Sequence, residues 1–133
     1  MDTAPSARLL DTHPVFLVGN IAATIPWYER VLAFKADPFP PSPPHAFCVL
    51  TRDDVAIMLQ QLDGYLKPNI YTQRQGGVWN AYIPTTGVRA LYEAVSKRSD
   101  VRILQRLHQQ PYGQLEFEMA DPNGYVLVFA ERT

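Results

Sequence analysis

Cysteine is almost absent: Cys48 stands alone among 133 residues. No internal disulfide can form, and its place in Phe47-Cys48-Val49-Leu50 reads as a small buried apolar side chain. An excess of charge is missing too. With 12 Lys and Arg against 13 Asp and Glu, the net charge is -1. No basic stripe is therefore available to displace counterions from phosphates, and no nucleic-acid partner is expected. No apolar run approaches the roughly 20 residues of a membrane span, and Met1 to Thr12 lacks the basic and apolar regions of a signal peptide. These absences point to a cytoplasmic protein without a membrane partner. Histidine is scarce as well, at 3 residues, which narrows the metal chemistry considered below.

What is present is an ordinary globular composition, 47% apolar and 19% charged. The length is that of one domain, spanning residues 1–133. The most informative stretch is Asp121-Pro122-Asn123-Gly124 followed by Tyr125-Val126-Leu127-Val128-Phe129-Ala130-Glu131. Asn and Gly accept the left-handed backbone of a tight reversal, and the β-branched and aromatic run after them is a strand. Arg52-Asp53-Asp54 followed by Val55-Ala56-Ile57-Met58-Leu59-Gln60 has the same layout about seventy residues upstream, the mark of an internal repeat.

Around these anchors each half spells strand, helix, then three strands. Met1 to Thr12 lacks periodicity and is expected as a loosely held arm. His13 to Val18 is the first strand. Asn20 caps a helix that should start near Ala22 or Ala23, with Ile25, Tyr28, Val31 and Leu32 at helical spacing and Pro26 close to its beginning. The prolines from Pro38 to Pro44 predict an exposed, stiff loop without regular pairing. Ala46 to Thr51 and Val55 to Gln61 form a hairpin about Arg52-Asp53-Asp54. Leu62 to Gly77 carries the turn signals Asp63-Gly64, Lys67-Pro68-Asn69 and Gly76-Gly77, a long connection able to cover part of a binding site.

The second half repeats the scheme with strand Val78 to Ile83, Thr86 as cap, and a helix with Val88, Leu91, Tyr92 and Val95 on one face. A short strand at Val101 to Leu104, a turn at Gln109 to Gly113, and a strand in which Leu115, Phe117 and Met119 alternate with Glu116 and Glu118 follow. The fold class is α+β: tandem βαβββ units, about 13–61 and 78–131, forming a curved mixed sheet with a concave face free for a ligand.

In its order of elements the chain resembles the glyoxalase/bleomycin-resistance/extradiol-dioxygenase superfamily, the vicinal oxygen chelate fold, and within it the bleomycin-resistance-type proteins. The resemblance runs from His13 to Glu131. It rests on His13-Pro14-Val15-Phe16-Leu17-Val18-Gly19-Asn20-Ile21, Trp27-Tyr28-Glu29-Arg30-Val31-Leu32-Ala33-Phe34, Arg52-Asp53-Asp54-Val55, Val88-Arg89-Ala90-Leu91-Tyr92, and Pro111-Tyr112-Gly113 ahead of Asp121-Pro122-Asn123-Gly124. It implies a homodimer with each cleft built from both chains. One departure is Ala33, where the family has glycine; a left-handed alanine would be strained, so the first helix is expected to end differently.

Metal-dependent members of that family hold a divalent ion with His and Glu or Gln. By position those slots fall here on His13, Met58, Val78 or Asn80, and Val128. Only His13 is a good ligand for a hard divalent ion, so no metal and no cofactor are expected. A different set joining His13 to Glu116 or Glu118 depends on strands that the pattern does not place. His13 itself reads either as a strand-end residue bonded to backbone or as a polar group lining an apolar cleft. His45 and His108 read as solvated loop residues.

Strand alternation puts His13, Met58, Gln60, Asn80, Tyr82, Glu116, Glu118 and Val128 on the concave face, with Tyr112 in a loop able to stack on a planar ligand. Trp79 and Trp27 are expected in the helix-side core. Glu116 and Glu118 read as a solvated strand face or as attraction for a cation. The resemblance therefore implies a metal-free protein that sequesters a small aromatic or cationic molecule, with antibiotic resistance as one such role. The alternative is a metal-dependent lyase, isomerase or dioxygenase of the same superfamily.

Overall fold

Alternation of apolar side chains writes both sheets. Phe16 and Val18, Cys48 and Leu50, and Ile57 and Leu59 are all buried, while the residues between them are more exposed; each pair thus turns one strand face toward a covering helix. The computed structural model describes residues 6–133. Of the expected N-terminal arm, residues 1–5 lie outside the described residues and residues 6–12 form neither helix nor strand.

The first unit runs β1 (Val15–Val18), α1 (Ile21–Leu32), β2 (Lys35–Phe39), β3 (Phe47–Arg52) and β4 (Val55–Gln61); the second runs β5 (Ala81–Pro84), α2 (Val88–Ser96), β6 (Arg102–Gln109), β7 (Gln114–Ala120) and β8 (Val126–Arg132). Each unit keeps its own four-stranded sheet, in the orders β1-β4-β3-β2 and β5-β8-β7-β6. In both, the first strand pairs in parallel with the last and the other pairings are antiparallel. The tandem βαβββ reading is therefore correct. None of the described helices is long and apolar enough to cross a membrane.

Asn20 caps α1 as expected, its side chain accepting from Ala23 N at 3.1 Å, and Gln61 Oε1 accepts from Ile21 N at 2.8 Å. The helix nevertheless begins at Ile21, with Pro26 inside it. Its end departs from expectation. Ala33 takes the left-handed conformation at φ 55°, with Phe34 N bonded to Tyr28 O at 3.1 Å, so the stop that usually uses glycine is made here by alanine. A left-handed non-glycine residue costs about 1–2 kcal/mol, partly offset by glycine's greater entropy when unfolded. Ala33→Gly is expected to raise stability by about 0.5–1 kcal/mol in urea denaturation, and a loss of stability would refute the strain.

Other expectations are corrected. Pro38 lies in a regular strand, which β2 tolerates because it is an edge strand, paired on one side only. Helix α2 is capped not by Thr86 but by Gly87 at φ 74°, with Glu131 Oε1 accepting from Val88 N at 3.0 Å. Strand β6 extends to Gln109, so His108 is a strand residue rather than a loop residue. His45 is buried, with Nδ1 2.7 Å from Pro40 O; the folded-back proline segment covers it.

The two units are joined by one flank of the first. Tyr28 of α1 donates to Asp121 Oδ2 at 2.6 Å, and Trp27 Nε1 donates to Asp100 O at 2.7 Å. Phe16 and Tyr125 stack with centroids 4.2 Å apart, and Tyr125 donates to Leu17 O at 2.6 Å. The Asp121-to-Gly124 turn is consequently both a chain reversal and a joint.

Candidate functional site

Strand β7 sets the chemistry of the second sheet. Leu115, Phe117 and Met119 face the helix side, where Phe117 meets Tyr92 of α2 with centroids 5.1 Å apart. Alternation then sends Glu116 and Glu118 to the open face. The structure corrects the reading of these two as a solvated face: Glu116 is 0% exposed and Glu118 is 2% exposed.

What buries them is a layer of aromatic side chains that also supplies donors. Tyr82 of β5 donates to Glu116 Oε2 at 2.5 Å, while Tyr112 and Gln110, from the turn before β7, reach Glu116 Oε1 at 2.7 and 3.3 Å. Glu118 accepts from Tyr71 at 2.5 Å on Oε1 and from Trp79 Nε1 at 3.0 Å on Oε2. Among the described residues neither carboxylate forms an ion pair. Burying two carboxylates side by side with only neutral donors is costly, since such donors replace only part of the lost hydration. The arrangement favours any cation that reaches it.

The rings themselves remain accessible. Trp79 and Tyr82 lie 5.4 Å apart at 33°, and each exposes more than a third of its surface. Their exposed faces can hold a planar or cationic group, with the carboxylates behind. Trp79 thus does not belong to the helix-side core as expected, whereas Trp27 is buried.

The phenols report the same field. Tyr82 is pushed up to about 12, first by desolvation of its hydroxyl end and then by the bond to Glu116, although its ring face stays open. Tyr71 and Tyr112 are also raised, by burial and then by Glu118 and Glu116 respectively. A phenol whose folded pKa lies above its unfolded value of about 10 contributes stability that is complete below pH 10 and is lost as pH rises through the folded value. In a spectrophotometric titration Tyr82 is expected to ionise near 12, with Glu116→Gln lowering that value; no change in the variant would contradict the pairing.

Of the residues expected on the concave face, the structure brings together Tyr82, Tyr112, Glu116, Glu118 and Val128, the last lying between Tyr82 and Glu118 in register. Met58 and Gln60 sit on the open face of the other sheet, opposite Val15 and Leu17, and His13 is exposed just ahead of β1. The Asn80 side chain is spent accepting from Val126 N at 2.8 Å. The residues that sequence reasoning missed are Tyr71, Trp79 and Gln110. No local pattern marks Tyr71, which meets Glu118 across 47 positions of chain.

The slots that would hold a divalent ion do not fit one. They supply one exposed imidazole, a thioether, an amide already bonded to backbone, and an alkyl group, too few hard donors for coordination. Another cavity, about 1110 Å³, lies between the end of α1, the β3–β4 turn, α2 and strand β5, where Tyr82 lines its edge. Its walls are mainly alkyl, and two of its rim charges are already engaged: Arg52 donates to Leu32 O and Glu131 caps α2. The carboxylate pair is the better candidate.

Comparison with known proteins supports the architecture. The family described as Glyoxalase/Bleomycin resistance protein/Dioxygenase superfamily matches residues 12–129. No curated protein matches the chain in sequence. Among solved structures, a glyoxalase-related enzyme from Clostridium phytofermentans is similar with TM-score 0.73 and 14% identity, over 97% of this chain and 99% of that one. TioX from Micromonospora sp. ML1 is similar with TM-score 0.69 and 15% identity, over 92% and 100%. The bleomycin-binding protein of bleomycin-producing Streptomyces verticillus, complexed with copper(II)-bleomycin, is similar with TM-score 0.65 and 18% identity, over 92% and 96%. At these identities the likeness is one of fold.

Proposed function

The chain belongs to the glyoxalase/bleomycin resistance protein/dioxygenase superfamily, and on that footing we propose that it is a metal-free binding protein for a small cationic or aromatic molecule. The observation that carries this reading is the buried Glu116 and Glu118 pair, hydrogen-bonded only by neutral donors beneath exposed rings. A cation resting on Trp79, Tyr82 or Tyr112 gains ring attraction and relieves two buried charges at once. Val128 supplies an apolar floor between them. Sequestration of such a compound in the cytoplasm would serve resistance to it, and a bleomycin-binding protein shares the fold.

The proposal includes a homodimer. Val15, Phe39 and Phe47 are exposed apolar residues on the open face of the first sheet, which a second copy would cover. In that arrangement His13, Met58 and Gln60 of one copy face the carboxylate pair of the other. Size measurement by light scattering tests it, and a monomer at micromolar concentration would remove the shared cleft.

The binding reading is tested by thermal denaturation with benzamidine and para-methylbenzylamine. Binding to the folded state must raise Tm by mass action; the rise is expected in the parent and lost in Glu118→Gln. Absence of stabilisation in the parent would defeat the proposal. So would a stoichiometric divalent ion in protein purified without chelator that disappears on His13→Ala, which would favour a metal-dependent enzyme.

A further inference from the structure

A second cavity, about 670 Å³, opens at one end of the same sheet face. Ala120 and Val126, register partners one step beyond Glu118 and Val128, form part of its wall, and Tyr71 lines it while also donating to Glu118. The cavity thus adjoins the carboxylate site, with Tyr71 shared between them.

Its charge is opposite. Arg102, the register partner of Ala120, and Lys67, from the connection between units, both line it. Among the described residues neither forms an ion pair; Lys67 Nζ lies 3.2 Å from Pro68 O and 5.4 Å from the Tyr125 ring centre. The acidic groups that line the cavity are already engaged. Asp100 takes both Arg30 at 2.8 Å and Arg98 at 2.9 Å, which hold its carboxyl well below the usual range. Asp121 accepts from Tyr28, Asn123 N and Tyr125 N. An anionic group would therefore meet two cations that no lining carboxylate pairs with, Asp121 being turned to Tyr28 and two backbone N–H groups.

We propose that this cleft is the anion subsite of a two-charge ligand: an aromatic molecule whose cationic end lies over Glu116 and Glu118 and whose carboxylate or phosphate-like end lies between Lys67 and Arg102. Strand geometry places the Cα atoms of Arg102 and Glu118 about 8 Å apart across the face, close to the span of one benzene ring with a substituent at each end. The inference rests on the binding reading given above and specifies its ligand class.

The test compares para-aminomethylphenylacetate with para-methylbenzylamine and with the uncharged amide of the first compound, by isothermal titration of the full chain. The acetate is expected to bind about tenfold more tightly than either, the scale of one charge-assisted contact. Lys67→Met and Arg102→Gln are expected to erase that advantage without weakening para-methylbenzylamine, and Glu118→Gln to weaken all three. Equal binding of acetate and amide, or an advantage that survives both of those substitutions, overturns the anion subsite and leaves the cation site standing. If none of the three compounds binds, the cation site and the inference built on it both fall.

Discussion

Tyr28→Phe is expected to lower the unfolding free energy by about 2–3 kcal/mol, the scale of a buried hydrogen bond to a charged group. The hydroxyl it removes is the donor to Asp121 Oδ2 at 2.6 Å, across the joint between the two units. Phenylalanine fills the same ring volume, so little packing is lost, and the cost comes from a carboxylate oxygen left without that partner. Asp121 is raised above its ordinary value, mainly by desolvation, with the Tyr28 bond among the effects opposing that rise.

The sign with pH follows. An acid raised on folding contributes stability that is complete below its unfolded value of about 4 and is lost as pH rises through the folded value. Removing Tyr28 weakens the ionised form further, so the deficit of the variant should be largest at neutral pH and shrink toward pH 4. Urea denaturation of parent and variant at both values checks this, and a deficit independent of pH would show that the Tyr28 hydroxyl does not act through the ionised form of Asp121.

Gly77→Ala is expected to cost about 3 kcal/mol or more and to disturb the carboxylate site from a distance. Gly77 sits at φ 89°, and a methyl group there would lie 2.4 Å from a ring carbon of Tyr71. The left-handed backbone accounts for about 1–2 kcal/mol. The remainder arises because the ring must move, and moving it takes the hydroxyl off Glu118, leaving that buried carboxylate with Trp79 alone. Gly76→Ala is the control: φ is 87°, but its nearest neighbour would be the end of the Arg74 side chain at 3.5 Å. The control should show the backbone cost alone. In Gly77→Ala a further phenol should titrate near the ordinary value of about 10; an unchanged titration would mean that Tyr71 holds its place.

The local grammar of the chain was legible residue by residue. Asn20 was readable as a helix cap because a cap is chosen within one turn of chain. Arg52-Asp53-Asp54 was readable as a hairpin turn because it lies between two alternating apolar runs, and the structure has β3 and β4 on either side of it. Ala33 departs from expectation because local strain is not decisive there: Tyr28, Leu32 and Phe34 packed in the core hold the helix end in place. Pro38 departs from expectation because only position within a sheet decides whether a missing N–H matters, and an edge position is not visible locally.

The candidate site divides in the same way. Strand alternation alone determined that Glu116, Glu118, Tyr82 and Val128 share one face, since opposite faces follow from the backbone pleat. Whether that face is wet could not follow from the pleat. Glu116 and Glu118 resemble any polar strand face until Tyr71, Trp79 and Tyr82 arrive from 47, 39 and 34 positions away to cover them. The α+β class, the repeat and the facing of β4, β7 and β8 follow from the chain alone, all of them set by neighbours a few residues apart. Only the tertiary structure decided that two carboxylates are buried beneath aromatic donors, because burial depends on what the rest of the chain lays over a surface.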